Sequence, residues 1–252
     1  MSNADDNSNL PAIDVILPVY REEDDVDRIV DALLAHATAH ADVRFTLVDD
    51  GSPDRTAARM EHRLADVAPE RVRLLAYKPN RGKGHAIQYA MQRSTAPLVM
   101  FMDGDLAYSL DHIALIRNAL ANHDVVIGSR WLADNREANR RSFLRRTLGE
   151  SFNFMARVMC GLHYADTQAG LKGFRRAAAD DIFTRLSIYR YAFDVEVLYI
   201  AKRHGYAIGE IAARVSPRHA VQPTSMNLIR DPVKMFGDLV KIRWNALRGR
   251  YR

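Results

Sequence analysis

The sequence has few thiols and no long apolar run. Among its 252 residues there is one cysteine, Cys160, which can form no intrachain disulfide and cannot build a cysteine-based zinc site. The longest apolar run, residues 96–102, is far shorter than the roughly 18 to 20 residues that cross a bilayer. The first ten residues carry Asp5 and Asp6 and no basic residue, unlike an export signal. We therefore expect a cytoplasmic protein without a spanning helix.

Charge is distributed unevenly between the two halves of the chain. Residues 1–127 hold 13 Lys or Arg and 20 Asp or Glu, whereas residues 128–252 hold 23 and 11. An acidic half can hold a divalent cation, and a basic half suits phosphates, an anionic membrane surface or nucleic acid. Charge alone does not choose among these partners.

Apolar segments with strand and helix periodicity alternate along the first half. Strands are predicted at residues 13–19, 43–48, 72–76, 98–102 and 125–127, and helices at residues 23–36, 54–67, 84–92 and 110–121. This alternation predicts an open, mostly parallel α/β sheet, in which ligands bind beyond the carboxyl ends of the strands. After residue 130 the pattern loosens into a charged loop at 131–141 and a helix at 142–160.

Polar residues follow the first two predicted strands. Tyr20 could stack on a flat ring and Glu22 could accept hydrogen bonds, although both are also ordinary at a helix start. Asp49 and Asp50 end the second strand, where capping of the next helix does not require two adjacent carboxylates. We favour ligand binding for this pair.

Two further junctions carry chemistry that suits a diphosphate. Two glycines and two cations in the run Asn80-Arg81-Gly82-Lys83-Gly84 begin a helix, where exposed amides attract anions, although a solvated basic turn would look the same. After the most apolar strand comes Asp103-Gly104-Asp105, whose two carboxylates could share one divalent ion.

Together these motifs resemble the family 2 glycosyltransferases, across about residues 13–218. The later strings Asp166-Thr167-Gln168-Ala169-Gly170-Leu171-Lys172-Gly173-Phe174 and Ala192-Phe193-Asp194-Val195-Glu196 look most like dolichyl-phosphate β-glucosyltransferases and bacterial polyprenyl-phosphate relatives. Dolichyl-phosphate mannose synthases are the next most similar. In those enzymes the position of Ala107 can carry another metal-binding residue, so the alanine here weakens that resemblance. Gly104 replaces an alanine that is common in relatives. The resemblance implies the GT-A fold, an α/β sandwich that binds nucleotide sugars.

We treat the chain as one domain with flanking segments, and the shift in charge near residue 128 marks the boundary between its two halves. A disordered tail at 1–11 would precede a GT-A domain at 12–229, with its nucleotide-sugar half at 12–127 and its acceptor half at 128–229. Residues 230–252 would form a basic amphipathic helix.

Site residues follow from the same resemblance. Donor binding falls to Pro18, Tyr20, Glu22, Asp49, Asp50, Lys83, Asp103, Gly104 and Arg130. Asp103 and Asp105 would hold Mg²⁺ or Mn²⁺, and Asp105, Asp166 and Arg130 would be catalytic. Lys172, Arg218 and Gln168 would meet an acceptor phosphate, with Arg140 and Arg141 as further cations.

The implied reaction is inverting transfer of a hexose, glucose by preference, from UDP-glucose or a GDP-mannose type of donor to a polyprenyl or dolichyl lipid phosphate. A lipid phosphate is already ionised at neutral pH and needs no strong base, since its second pKa is about 6. A hydroxyl acceptor would need one, and Asp166 or Glu196 would be the candidates. The alternatives are a family 2 enzyme with a soluble or polysaccharide acceptor, and a polyprenyl-phosphate mannose synthase.

Two other classes of protein fit the sequence less well. A nucleotidyltransferase would need a Gly-rich loop after Val19, which is absent. A nucleic-acid partner is not expected, because aromatic residues do not interleave the Arg runs.

The segment 234–248 is strongly amphipathic, which leaves two interpretations open. It could cover the domain's own core or lie on the inner face of a membrane, with Trp244 near the headgroups and Arg248, Arg250 and Arg252 on anionic lipid.

Overall fold

The protein is built on one seven-stranded sheet. The computed structural model describes residues 10–133, 143–216 and 230–252. Arg140, Arg141, Arg218 and most of the predicted disordered tail lie outside those residues. The strands are β1 (Ile13–Val19), β2 (Val43–Asp49), β3 (Val72–Ala76), β4 (Leu98–Met102), β5 (Val125–Ser129), β6 (Leu171–Arg175) and β7 (Ile208–Ala212). All five predicted strands are confirmed, to within two residues.

One strand runs against the other six. The strand order is β3-β2-β1-β4-β6-β5-β7, with β6 antiparallel between β4 and β5. The other neighbouring strands pair in parallel. Because β6 is reversed, it begins at the edge where the parallel strands end, which brings the residues just before Leu171 to that edge. The GT-A sandwich is confirmed, whereas this strand was not foreseen.

Helices cover both faces of the sheet. They are α1 (Val26–Ala39), α2 (Thr56–Leu64), α3 (Lys83–Met91), α4 (His112–Ala119), α5 (Phe143–Cys160), α6 (Arg176–Arg185), α7 (Phe193–Arg203) and α8 (Arg230–Leu247). Alternate residues of each strand enter opposite apolar layers, as the two-residue period of a strand requires. In β4, for example, Val99 and Phe101 face one layer, while Met100 and Met102 face the other.

The last helix closes one of these layers. Met235, Leu239, Ile242 and Ala246 recur at helical spacing and are buried in the same apolar cluster as Phe152 of α5. Within the described ranges, no helix is long and apolar enough to cross a membrane.

Candidate active site

The predicted site residues gather at the carboxyl edge of the sheet. Strands β2, β1 and β4 are neighbours, so the residues that follow Val19, Asp49 and Met102 share this edge. Arg21 and Leu106, just beyond β1 and β4, adopt positive φ values of 61° and 58°. For residues other than glycine, such backbone strain is concentrated at functional sites.

Asp50 holds the Gly-rich turn. Its Oδ1 accepts from Tyr77 Oη at 2.7 Å and Arg81 N at 2.8 Å, and its Oδ2 from Asn80 Nδ2 at 2.8 Å and Gly82 N at 2.9 Å. Each carboxylate oxygen thus already has two donors. The structure therefore gives Asp50 a role in shaping the turn, and its predicted contact with the nucleoside stays a prediction.

Asp49 differs from its neighbour. Its Oδ2 accepts from Ser52 N at 3.0 Å, while its Oδ1 is buried without a hydrogen-bond partner among the described residues. A buried acceptor in this condition is costly unless a ligand supplies a donor. Tyr20, at the neighbouring strand end, is 40% exposed and offers its ring to the solvent side.

Gly82, the residue before helix α3, can only be a glycine. Gly82 has φ 102°, and a Cβ there would lie 2.5 Å from the carbonyl oxygen of Tyr189, so only glycine fits. Gly84 N donates to that same carbonyl at 2.9 Å. The segment before α7 thus buttresses the start of α3, where Lys83 leaves the turn.

Lys83 forms an ion pair with Asp103. Burial would lower the pKa of Lys83, but Asp103 and then Asp194 outweigh it and raise that pKa, so the ammonium stays charged. A Cβ on Gly170 would lie 2.3 Å from both carboxylate oxygens of Asp103. The residue before β6 must therefore be glycine for Asp103 to occupy this position.

Gly104 is equally constrained. A Cβ there would lie 2.2 Å from the carbonyl oxygen of Pro18. An alanine at this position would therefore not fit this backbone, which brings Pro18 of β1 directly against the Asp103-Gly104-Asp105 turn.

Negative charge accumulates beside Asp105. Its Oδ1 accepts from Ala107 N at 3.0 Å, and its carbonyl oxygen accepts from Arg28 Nη2 at 2.9 Å. The pKa of Glu22 is raised to about 7, first by burial and then by the charges of Asp105 and Asp25. A divalent cation would relieve this repulsion. Mg²⁺ is commonly bound by one or two carboxylates plus substrate phosphates, so Asp103 and Asp105 fit such an ion. No group of three or more His, Cys, Asp or Glu in the described part of the chain forms a metal site by itself.

Arg130 and Asp166 form a bidentate ion pair. Arg130 Nε lies 2.6 Å from Asp166 Oδ2, and Arg130 Nη2 lies 2.9 Å from Asp166 Oδ1. The backbone N–H of Gln168 also donates to Asp166 Oδ1, at 3.1 Å. Burial would raise the pKa of Asp166, but the hydrogen bonds and charge of Arg130 hold it below its ordinary value. Asp166 therefore orients Arg130 and is a poor base. The Gln168 side chain is half-buried beside this pair.

Tyr108 is a site residue that the sequence analysis missed. It is 2% exposed, and its phenol lies within the fields of Arg130, Asp103 and Asp166. Burial raises its pKa, so it stays a neutral hydroxyl. Its only signal in the sequence is its place three residues after Asp105.

Lys172 does not lie where an acceptor phosphate could reach it. Its side chain is fully buried, and Nζ donates to Asp194 Oδ1 at 2.7 Å and to the carbonyl oxygen of Ala169 at 2.7 Å. The reason is its position in β6, a central strand, with Nζ 5.6 Å from the centre of the Phe101 ring. We therefore replace the expected phosphate contact by a structural ion pair.

Glu196 is likewise committed to the structure. It is fully buried and accepts from Ser187 N and Oγ, Ile188 N and Tyr251 Oη, at 3.0, 2.5, 2.6 and 2.5 Å. With four donors on its two oxygens, it is not available as a base.

This fold and site define a glycosyltransferase. The sequence model of the glycosyl transferase family 2 domain matches residues 14–183, and the chain belongs to that family. Dolichyl-phosphate beta-glucosyltransferase of Dictyostelium discoideum is 30% identical over 249 residues, covering 94% of this chain and 75% of that protein. The protein of the same name from Homo sapiens is 29% identical, covering 95% and 77%.

Solved structures share the fold at low identity. A glucosyl-3-phosphoglycerate synthase from Mycobacterium tuberculosis, in complex with UDP, superposes with a TM-score of 0.64 at 17% identity, over 92% of this chain and 80% of that one. A mannosyltransferase from Pyrobaculum calidifontis, in complex with GDP-Man and Mn²⁺, gives 0.60 at 19% identity, over 93% and 65%.

Proposed function

We propose that this glycosyltransferase transfers glucose from a nucleotide diphosphate sugar to a polyprenyl or dolichyl-type lipid phosphate, with inversion at the anomeric carbon. Two of the curated relatives named dolichyl-phosphate beta-glucosyltransferase, from Dictyostelium discoideum and Homo sapiens, align with more than nine-tenths of the chain, which supports this acceptor. The observation that carries the proposal is the state of the two candidate bases.

A hydroxyl acceptor must lose its proton as it attacks, and the chain would have to receive it. Asp166 is clamped by Arg130, and Glu196 accepts four hydrogen bonds. A phosphate monoester is mostly ionised already at neutral pH, since its second pKa is about 6, and so attacks without either base. The site therefore suits a phosphate acceptor better than a hydroxyl acceptor.

On the donor side, we assign the diphosphate to the Gly82–Lys83 turn and to Arg130. Lys83 stays charged and its side chain is 34% exposed, so it can move from Asp103 to a donor phosphate. Asp103 and Asp105 would hold Mg²⁺ or Mn²⁺, which would neutralise charge on the leaving diphosphate. Tyr20, Glu22 and Asp49 would contact the nucleoside.

We propose glucose rather than mannose as the transferred sugar because the two curated relatives are named glucosyltransferases. Ala107 donates its backbone N–H to Asp105 and accepts from Ser216 N, and its methyl side chain offers no metal ligand of the kind that the resemblance assigns to mannose synthases. The sugar itself is tested by offering both donors.

A paired set of acceptors tests the proposal. Purified protein is incubated with UDP-glucose or GDP-mannose, Mg²⁺ or Mn²⁺, and either polyprenyl phosphate or the matching polyprenol. We expect nucleoside diphosphate release that depends on the phosphorylated lipid. Equal release with polyprenol would contradict the assignment, because it would require the base that Asp166 and Glu196 do not provide.

A second pair of variants tests the metal. Asp105→Asn should make donor binding insensitive to divalent ions and severely reduce turnover, whereas Asp111→Asn, an exposed aspartate on the next segment, serves as the matched control. Wild-type turnover by Asp105→Asn at saturating donor would remove the metal role.

A further inference from the structure

Exposed apolar side chains are concentrated on two helices that pack together. Of the ten large hydrophobic residues that are exposed in the described ranges, six lie on α5 and α8. They are Phe154, Val158, Phe236, Val240, Trp244 and Leu247. Exposed apolar surface that is grouped in this way marks a site of association, whereas single exposed residues are ordinary.

Helix α8 carries three separate faces. Its inner face, centred on Leu239 and Ile242, closes the core. The exposed apolar residues of α8 follow one another at spacings of four, four and three, and so form a second stripe along the helix. A row of exposed cations runs beside that stripe, namely Lys234, Lys241 and Arg248. Helix α8 can therefore cover the core and present an apolar surface at the same time, because a different face of the helix serves each purpose.

The charge beside this stripe has one predominant sign. Residues 230–252 contain seven Lys or Arg and two Asp. Arg248 lies over the Trp244 ring, 4.6 Å from its centre, so a cation and an amphipathic aromatic ring project together. Arg243 instead turns back to Tyr199 Oη at 3.2 Å. An apolar stripe bordered by cations is complementary to acyl chains beneath anionic headgroups.

We propose that the exposed faces of α5 and α8, with the adjacent cationic row, form a docking surface for an anionic phospholipid bilayer. The purpose of this surface rests on the proposed lipid acceptor, although the observations that define it do not. Asn153 of α5 donates to the carbonyl oxygen of Ala165 at 2.9 Å and accepts from Thr167 Oγ1 at 2.9 Å. The helix that would touch the membrane therefore also holds the loop that carries Asp166.

Truncating the chain before α8 is a poor test, because the truncation would strip Leu239, Ile242 and the fully buried Tyr251 from the core. Point variants on exposed positions avoid this loss. Trp244→Ala/Leu247→Ala removes apolar area from the stripe, and Lys241→Glu/Arg248→Glu reverses the cationic row. Leu115→Ala, a half-exposed leucine on α4, is the matched control.

The full chain is mixed with vesicles of phosphatidylcholine alone or with about one-third phosphatidylglycerol, and binding is measured by flotation. We expect binding to the anionic vesicles only. Binding should weaken at least about tenfold in both double variants, because one removes apolar area and the other reverses the attraction to anionic headgroups, and it should be kept in Leu115→Ala. Circular dichroism and unfolding midpoints confirm that the variants are folded.

Three outcomes would overturn the proposal. The first is that the wild type does not bind the vesicles. The second is that the folded double variants bind as well as the wild type does. The third is a dimer in sedimentation analysis that Trp244→Ala/Leu247→Ala dissociates, because the surface would then bind a second copy of the chain. Activity on a short, water-soluble prenyl phosphate separates the two proposals. If that activity persists while vesicle binding fails, only the docking surface is wrong.

Discussion

Replacing Lys172 by Met tests whether this residue is structural or meets the acceptor. The Nζ atom donates to Asp194 Oδ1 and to the carbonyl oxygen of Ala169, both at 2.7 Å. Methionine keeps the bulk of the side chain but removes the cation that is hydrogen-bonded to Asp194, which is 5% exposed. Removing one partner of a buried ion pair costs about 3–5 kcal/mol. That is a large share of the roughly 5–15 kcal/mol by which a domain is stable.

The double variant Lys172→Met/Asp194→Asn separates charge from packing. With no unpaired charge in the core, we expect most of the lost stability to return, leaving a deficit of about 1–2 kcal/mol for the missing hydrogen bonds. Arg63→Met is the surface control. Arg63 pairs with Asp27 and Asp31 at the surface, so its loss should lower the free energy of unfolding far less than the loss of Lys172 does.

Urea unfolding followed by far-UV circular dichroism gives the free energies, and acceptor titrations below the unfolding range give KM. We expect the single variant to lose stability without a selective rise in acceptor KM. If it instead unfolds like the wild type and only acceptor KM rises, Lys172 reaches the acceptor and its burial between β4 and β5 is wrong.

Three further perturbations follow from the same geometry. Gly170→Ala should push Asp103 aside and weaken metal-dependent donor binding, while Gly237→Ala, in open space on α8, should leave binding unchanged and add up to about 1 kcal/mol of stability in urea unfolding. Tyr251→Phe should cost about 1–3 kcal/mol in the same assay, because it removes one of the hydrogen bonds that buried Glu196 accepts. In metal-free buffer, unfolding free energy should fall as pH rises from 4.5 to about 7, because folded Glu22 holds its proton more tightly than the unfolded chain does. Glu22→Gln should flatten that slope, and an unchanged slope would refute the raised pKa.

The sequence predicted the sheet edge because that prediction needs only local patterns. Short apolar runs followed by polar residues place Tyr20, Asp50 and Asp103 at the ends of parallel strands, whatever the rest of the fold does. Helix ends were less accurate: α1 begins three residues after its predicted start and ends three residues later than predicted. Capping there does not involve a side-chain hydrogen bond, so the sequence offered little signal.

The reversed strand could not be predicted in this way. Residues 171–175 contain a lysine and a glycine and do not alternate as a strand, and their place between β4 and β5 depends on pairing with segments about 50 and 70 residues earlier. Three consequences follow from that one strand. It buries Lys172, it brings Gly170 against Asp103, and it delivers Asp166 to Arg130.

The carboxylates at and near this edge of the sheet differ in the groups that surround them. Asp50 and Glu196 each accept four hydrogen bonds, and Asp166 is paired with Arg130. Near Asp105, by contrast, burial and then the charges of Asp105 and Asp25 raise the pKa of Glu22 to about 7. A divalent cation would reduce the repulsion there, whereas the two candidate bases among the described residues, Asp166 and Glu196, are already hydrogen-bonded within the chain. A reaction at this edge thus needs an attacking group that arrives ionised, and a lipid phosphate meets that requirement.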